Sequence, residues 1–267
     1  MSVLEEILAA KRAELAMLHE SEARDTLRRA ALEAPPARDF AGALRRPDGR
    51  LAVVAEIKRR SPSKGDLAPG LDPAAVAKAY ETGGAAALSV LTDRPFFGGS
   101  VDDLHAARAA VEIPVLRKDF TIDETQVYES RAIGADAVLL IVAALNDDGL
   151  LTGLRELAEE VAIVALVEAH DDAELDRALA AGASIVGVNA RDLGTFGEDL
   201  GLSERLADRI PADVIAMAES AIRAPADAER MADAGYDAVL VGEALVRCDD
   251  PAQLVAAMSE HFVHAWR

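Results

Sequence analysis

Charged side chains close several of the apolar runs in this sequence. The first such run carries Glu56 and Lys58 two positions apart, and later runs end in Lys118, Glu168 and Glu219. Carboxylates and ammonium groups are costly to bury unless they are paired or used. Acids and amines that are brought to one place can transfer protons during a reaction. These five residues are therefore the first candidates for a catalytic site.

The elements that must position these charges are alternating strands and helices. Amphipathic segments lie between the apolar runs, an order that predicts a parallel sheet. Four runs are introduced by glycines that lie 50, 48 and 53 residues apart, so each interval holds two strand–helix units. These glycines are Gly84, Gly134, Gly182 and Gly235. The eight predicted strands span residues 52–58, 86–91, 114–118, 137–142, 162–168, 184–189, 214–219 and 238–241.

We predict an α/β fold, a single closed (β/α)8 TIM barrel, because eight units of roughly 25 residues fill a chain of this length. An open doubly wound sheet is the alternative, although no GxGxxG fingerprint follows the first strand. The charged ends belong to the first, third, fifth and seventh strands, and alternate strands supply the same interior layers of a barrel. We therefore expect the charges to meet at the C-terminal end of the barrel, where active sites of this fold lie.

Residues 1–50 precede the predicted barrel, which we assign to residues 51–267. Leu4, Ile7, Leu8 and Leu15 recur at helical spacing. This spacing predicts an N-terminal helical extension that packs on the barrel. The pattern fits two positions for this helix. It could cover the bottom or a side of the barrel, or it could form a lid near the site, and we favour the first.

Composition narrows the class of protein. The chain has 267 residues, is 51% hydrophobic and carries 47 acidic against 28 basic residues, a net charge of −19. Such a charge repels nucleic acid, so we expect no nucleic-acid partner. With only five lysines, the acidic surface also suggests the hypothesis of a salt-rich cytoplasm, where self-repulsion is screened.

Location is predicted from the cysteine count and the hydropathy. Cys248 is the one cysteine, which suits a reducing compartment. The segment MSVLEEILAAKRAEL carries acids where a signal peptide is apolar, and the longest apolar run, 137–145, is too short to cross a bilayer. We expect a cytoplasmic protein without a membrane partner, and a monomer.

Eight segments in barrel order carry a family resemblance. They are AEIKRRSPSKG, SVLTDRPFFGGS, LRKDF, GADAVLLIV, LVEAH, GVNARDL, AESAI and VGEALVR. Together they resemble the indole-3-glycerol-phosphate synthase family of tryptophan biosynthesis over residues 50–247, and the N-terminal extension is similar as well. The resemblance implies a carbon–carbon lyase (a carboxy-lyase) that acts on 1-(2-carboxyphenylamino)-1-deoxyribulose 5-phosphate. Ring closure with loss of carbon dioxide and then water would give indole-3-glycerol phosphate.

The resemblance also implies roles for individual residues. Lys118 matches the general acid of ring closure, and Glu168 matches the base of the dehydration. Lys58 is expected to be a second acid or to hold the substrate carboxylate, and Glu56 to orient the lysines and the anilino nitrogen. Asn189 and Glu219 complete the predicted catalytic set. Asn189 and its neighbour Arg191 are expected either to contact the substrate or to brace Glu219.

Ten further positions are expected by resemblance to bind the substrate. They are Ser61, Phe97, Phe120, Leu139, Arg191, Leu193, Ser220, Ala221, Gly242 and Glu243. Phe97 and Phe120, with the two leucines, would line a slot for the aromatic ring, and the arginine fork suits a carboxylate. The serines and the backbone after the last two strands would bind phosphate. Ala221 stands where the family usually has glycine, so a positive φ there would strain it by about 1 kcal/mol.

The resemblance implies that no cofactor and no metal is required. The sequence agrees for the metal, because His170 has no Cys/His/Asp cluster at ligand spacing around it. Two other classes stay open. One is another phosphate-binding barrel, such as a sugar-phosphate isomerase or a lyase that forms a Schiff base on Lys118. The other is a non-catalytic barrel that serves as a scaffold. The first leaves the ExKxxSPS and NxRDL motifs unexplained. The second would be favoured by the loss of a charged strand end, and all of these ends are present.

Overall fold

A closed barrel of eight parallel strands forms the centre of the protein. The computed structural model describes residues 2–18, 21–46, 48–192 and 196–263. The strands are β1 (Ala52–Ile57), β2 (Ala87–Leu91), β3 (Val115–Lys118), β4 (Ala137–Ile141), β5 (Val164–Ala169), β6 (Ile185–Asn189), β7 (Ile215–Glu219) and β8 (Ala238–Val241). β1 pairs with β2 on one side and β8 on the other. The predicted TIM barrel is confirmed, and the open-sheet alternative is wrong.

Thirteen helices accompany the strands in the described part of the chain. They are α1 (Val3–Leu18), α2 (Ser21–Glu33), α3 (Phe40–Leu44), α4 (Pro73–Thr82), α5 (Arg94–Phe97), α6 (Val101–Ala110), α7 (Glu124–Ala132), α8 (Asp148–Glu160), α9 (Asp172–Ala180), α10 (Leu200–Ala207), α11 (Pro225–Asp233), α12 (Glu243–Arg247) and α13 (Pro251–Ser259). A short hairpin joins Arg60–Ser61 to Gly65–Asp66 in the loop after β1. None of the described helices is long and apolar enough to cross a membrane.

Local sequence explains where the helices begin and end. Aspartate side chains accept hydrogen bonds from the first backbone N–H groups of many helices, such as Asp123 at α7 and Asp171 at α9. The repeated glycines end the preceding helices with φ angles of 77° to 90°, as Gly84, Gly182 and Gly235 do, a conformation that glycine adopts without strain. Each glycine lies two to four residues before the next strand, which gives the sequence its period of about 50 residues.

The predicted strands agree with the observed ones to within two residues. The largest difference is at β5, which begins at Val164 and not at Ala162. Ala162 has a φ of 59° and donates its N–H to Glu159 at the end of α8. The apolar character of Ala162 therefore belongs to the turn that closes the helix, a feature that hydropathy does not distinguish from a strand.

The barrel interior is closed at both ends by the N-terminal helices. Ile7 of α1 and Phe40 and Leu44 of α3 belong to the same apolar cluster as the inward side chains of the strands. Arg45 and Arg46, which follow α3, bond to carbonyl groups just before β7 and β2, so α3 lies at the N-terminal end. α1 lies at the opposite end, where the strands finish. The preference for a cover at the bottom or side does not hold for α1, because helical spacing identifies an apolar face but not the surface that it covers.

Candidate active site

One cavity at the C-terminal mouth of the barrel brings the predicted site residues together. Every one of them that the structure describes lines this cavity, whereas Leu193 lies outside the described residues. The lining residues that had been predicted are Glu56, Lys58, Ser61, Phe97, Lys118, Phe120, Leu139, Glu168, Asn189, Arg191, Glu219, Ser220, Ala221, Gly242 and Glu243. The strands supply the charged groups and the loops after them supply the rest.

The centre of the cavity is an ammonium group held by two carboxylates. Lys118 Nζ lies 2.8 Å from Glu168 Oε2 and also contacts Glu219 Oε2. The three residues come from β3, β5 and β7, so alternate strands place their ends in one layer. The two glutamate side chains are only 3% and 2% exposed, and these contacts therefore lie in a poorly hydrated environment.

The pKa values of these groups follow from burial and from their mutual contacts. Burial by itself would lower the pKa of Lys118, but Glu168 and Glu219 outweigh it and raise that pKa above its ordinary value. Burial raises the pKa of Glu219, and the nearby charge of Glu168 raises it further, although Lys118 opposes both. Burial also acts to raise the pKa of Glu168, but Lys118 and His170 outweigh it and lower that pKa. The site therefore holds an ammonium, an ionised Glu168 and a Glu219 that is more readily protonated.

His170 stands behind Glu168 and was not among the predicted site residues. Its Nε2 lies 3.3 Å from Glu168 Oε1, and its Nδ1 lies 3.0 Å from Glu174 Oε2. Glu174 also accepts the backbone N–H of His170 at 2.8 Å, which fixes the position of the carboxylate. Burial alone would lower the pKa of His170, but the two carboxylates raise it to about 10. The imidazole therefore adds positive charge beside Glu168. No group of three potential ligands for a metal occurs among the described residues.

Two glycines make room for the carboxylates. A Cβ atom at Gly187, on β6, would collide with the carboxylate of Glu219. A Cβ atom at Gly242, just after β8, would collide with the carboxylate of Glu56, which pairs with Lys58. Gly242 had been predicted to contact phosphate, but Gly187 had not been singled out, because a glycine inside a strand does not reveal which side chain approaches it.

Arg191 connects two loops of the mouth. Its guanidinium donates a hydrogen bond to Ser63 Oγ at 2.6 Å and pairs with Glu198, which also pairs with Arg223. Asn189 Oδ1 accepts the backbone N–H of Arg191 at 3.1 Å. The charge of Arg191 is thus directed to Glu198 and not to Glu219, so the expected brace on Glu219 is not formed by this guanidinium.

The loops after β7 and β8 form the end of the cavity that had been predicted to bind phosphate. Ser220 and Ala221 have φ angles of 66° and 59°, a left-handed conformation that non-glycine residues seldom adopt. The condition for strain at Ala221 is therefore met, at a cost of about 1 kcal/mol. In the neighbouring loop, after β1, Ser61 Oγ accepts the backbone N–H of Lys64 at 3.2 Å. Two consecutive strained residues at one site are typical of a backbone held for function.

The apolar side of the cavity combines two predicted phenylalanines with residues that sequence reasoning missed. Phe97 and Phe120 lie with their ring centroids 6.1 Å apart and their planes at 37°. Val3, Leu4 and Ile7 of α1 also line the cavity. The helical spacing of Leu4 and Ile7 was visible in the sequence, but nothing in it indicated that the helix lies over the strand ends. Glu198 and Arg223 were missed because isolated charges in loops are most often solvated.

Comparisons with known proteins identify one family over nearly the whole chain. A family model described as Indole-3-glycerol phosphate synthase matches residues 4–258. A protein of that name from Parafrankia sp. (strain EAN1pec) is 54% identical over 256 residues, which cover 96% of this chain and 94% of the relative. Indole-3-glycerol phosphate synthase 1 of Streptomyces coelicolor is 50% identical and covers 98% of this chain and 97% of its own length. A solved structure of KGPDC from Streptococcus mutans shares the fold alone, with a TM-score of 0.59 and 14% identity over 78% of this chain and 95% of that one.

Proposed function

The chain belongs to the indole-3-glycerol phosphate synthase family, and on that premise we propose that its barrel mouth closes the indole ring of 1-(2-carboxyphenylamino)-1-deoxyribulose 5-phosphate. The single observation that carries this proposal is the buried ammonium of Lys118 between Glu168 and Glu219. The reaction needs a proton donor and a proton acceptor within reach of one substrate, and this cluster supplies both.

The substrate has three parts, and the cavity offers a matching environment for each. Its aromatic ring fits the apolar side formed by Phe97, Phe120 and α1. Its phosphate fits the backbone at Ser220 and the loop after β8. Its carboxylate fits the cationic groups of Lys58 and Arg191, which line the same cavity.

Ring closure begins when the ring carbon that bears the carboxylate attacks the ketone carbon. Lys118 donates its proton to the ketone oxygen, which becomes a hydroxyl group as the carbon–carbon bond forms. The bond to the carboxylate then breaks, carbon dioxide leaves, and the bonding electrons restore the aromatic ring. Because the ammonium form of Lys118 is stabilised by both glutamates, the donor is present before the substrate arrives.

Dehydration completes the reaction. The hydroxyl group leaves as water with a proton from Lys58, and Glu168 removes a proton from the carbon next to the nitrogen. Two protons are donated and one is accepted, which balances the loss of carbon dioxide from a carboxylate. The lowered pKa of Glu168 keeps it ionised and ready to act as this base.

A Schiff-base mechanism at Lys118 fits this site less well. A nucleophilic lysine must be neutral, and it is usually activated by a lowered pKa. Glu168 and Glu219 act in the opposite direction and hold Lys118 as an ammonium group. Treatment with borohydride in the presence of substrate tests this alternative directly, since covalent attachment at Lys118 would favour the lyase.

The experiment that tests the proposed function is a direct assay. Purified protein is mixed with the carboxyphenylamino-deoxyribulose phosphate, and indole absorbance and fluorescence are followed while the release of carbon dioxide is measured. We expect one equivalent of each product per substrate without added metal or cofactor. Absence of the indole signal from folded protein would contradict the proposal.

A further inference from the structure

Helix α1 inserts a single buried ammonium group between the loops that follow β2 and β3. Lys11 is 3% exposed, and its Nζ lies 3.0 Å from Asp93 Oδ2 and 2.9 Å from Asp119 Oδ1. Glu14, on the same helix, is a third partner at 2.9 Å. Both aspartates are buried, so these contacts are shielded from water and from salt. The proposed reaction uses none of these four residues.

The two aspartates each hold the backbone of a phenylalanine in the mouth. Asp93 Oδ1 accepts hydrogen bonds from the first turn of α5, including the N–H of Phe97 at 3.2 Å. Asp119 Oδ1 accepts the N–H of Phe120 at 2.8 Å. Asp119 Oδ1 is also the atom that contacts Lys11. The ammonium group therefore joins, through two carboxylates, the backbone segments that carry both aromatic rings of the cavity.

The two rings and α1 form a continuous apolar surface. The ring centroids of Phe97 and Phe120 are 6.1 Å apart, and both rings line the cavity. Ile7 lies one helical turn before Lys11 and lines the same cavity, so one face of α1 supplies both the apolar contact and the ammonium group. The relative position of the two loops thus depends on the ion pairs that Lys11 forms with Asp93 and Asp119.

We infer that Lys11 is a positioning residue that sets the aromatic subsite, by holding Asp93 and Asp119 and through them Phe97 and Phe120. This inference rests on the function proposed above, because it assigns the ring of the substrate to this side of the cavity. Lys11 contacts none of the residues proposed to bind phosphate. Its effect should therefore fall on ligands that contain the ring and spare ligands that contain only the phosphate.

The test compares two probes on the Lys11→Met variant. Methionine keeps the length of the side chain and removes its charge. Titration calorimetry measures the affinity for indole-3-glycerol phosphate, which has a ring, and for glycerol 3-phosphate, which does not. We expect the first affinity to fall at least about tenfold, since small misplacements in a site cost up to about 10²-fold, and the second to stay within about twofold. The KM of the substrate should rise as the affinity for indole-3-glycerol phosphate falls.

Leu15→Ala is the matched control. Leu15 is buried at 5% exposure one turn after Lys11, so its truncation weakens the docking of α1 without removing an ion pair. The free energy of unfolding is measured for both variants. An equal loss of affinity for both probes in Lys11→Met, no loss for either, or the same selective loss in Leu15→Ala would each overturn the inference.

A second variant covers the case in which Lys11→Met does not fold, since removing one partner of a buried ion pair is destabilising. Asp93→Asn keeps an oxygen that can cap α5 but removes the charge that faces Lys11. The same selective loss of ring affinity is expected, and unchanged affinity for both probes would overturn the inference. Failure of the proposed function is distinguished by the direct assay of the unaltered protein, which would then form no indole from the substrate.

Discussion

Lys118 faces two carboxylates that differ in their other neighbours. Glu168 has His170 on its far side, at 3.3 Å from Oε1. Glu219 Oε1 is buried and has no hydrogen-bond partner among the described residues. The pKa values of the two glutamates are therefore driven apart, downward for Glu168 and upward for Glu219. A pair of carboxyl groups whose pKa values are separated in this way supports the proposed assignment of Glu168 as the base.

We predict that Lys118→Ala nearly abolishes turnover and leaves the fold intact. A general acid contributes about 10²- to 10⁴-fold, and no other ammonium group contacts both glutamates in the described structure. Lys78→Ala, at an exposed position on α4, is the matched control and should retain full activity. Indole fluorescence measures both variants, and circular dichroism checks the fold. A Lys118→Ala protein with more than a tenth of the activity would reject the assignment.

A second prediction concerns the pH dependence of the reaction. His170→Asn removes the imidazole charge that helps to lower the pKa of Glu168, so that pKa should rise. In the proposed mechanism Glu168 acts in its ionised form, so activity should be lost as the pH falls through its pKa. The acid limb of kcat/KM should therefore move to higher pH. Lys118, which contacts Glu168, and Glu174, which contacts the imidazole, are unchanged. A profile that keeps its acid limb while activity drops uniformly would assign His170 a purely structural role.

The residues of this charge cluster could largely be predicted from the sequence, but their protonation states could not. The sequence places the charges of β3, β5 and β7 at strand ends, and barrel geometry predicts that they meet. It does not predict which glutamate is ionised, because that depends on His170 and on contacts of about 3 Å. Nor does it predict that the two carboxylates outweigh burial and raise the pKa of Lys118.

At the scale of elements, strand β6 leaves room for the carboxylate of Glu219 because it has a glycine, Gly187, at that position. We predict that Gly187→Ala lowers activity by at least about tenfold, because the new Cβ would displace the carboxylate of Glu219. Gly153→Ala is the matched control. Gly153 lies within α8, where a Cβ meets nothing within 4 Å, and the change should stabilise the fold by about 0.5–1 kcal/mol without affecting kcat. Equal activity in the two variants would contradict this prediction.

Elements differ in how well the sequence predicts them. The strands could be predicted because β-branched runs are bounded by glycines that repeat along the chain. The positions of α1 and α3 could not, since the apolar residues of a helix fit either end of a barrel. The decisive information is long-range: Lys11 meets Asp93 and Asp119, and Arg45 meets the carbonyl group of Asp213.

At the scale of the whole molecule, the excess of acid is the dominant property. A net charge of −19 makes the folded state repel itself, and dissolved salt screens this repulsion over about 10 Å at 0.1 M and about 3 Å at 1 M. We predict that the melting temperature rises between low and molar KCl, measured by differential scanning calorimetry. An unchanged or lower melting temperature would remove the hypothesis of salt adaptation. A monomeric state stays a prediction, which light scattering can check in the same samples.

Closure of β8 onto β1 has a consequence for any shortened form of this protein. A chain that stops before residue 238 would leave β1 and β7 with unpaired backbone edges, and such edges recruit strands from other molecules. Genetic truncations in that region should therefore yield insoluble material and not a weakened enzyme. Fusions or permutations would have to preserve the seam between the first and last strands to recover a working catalyst.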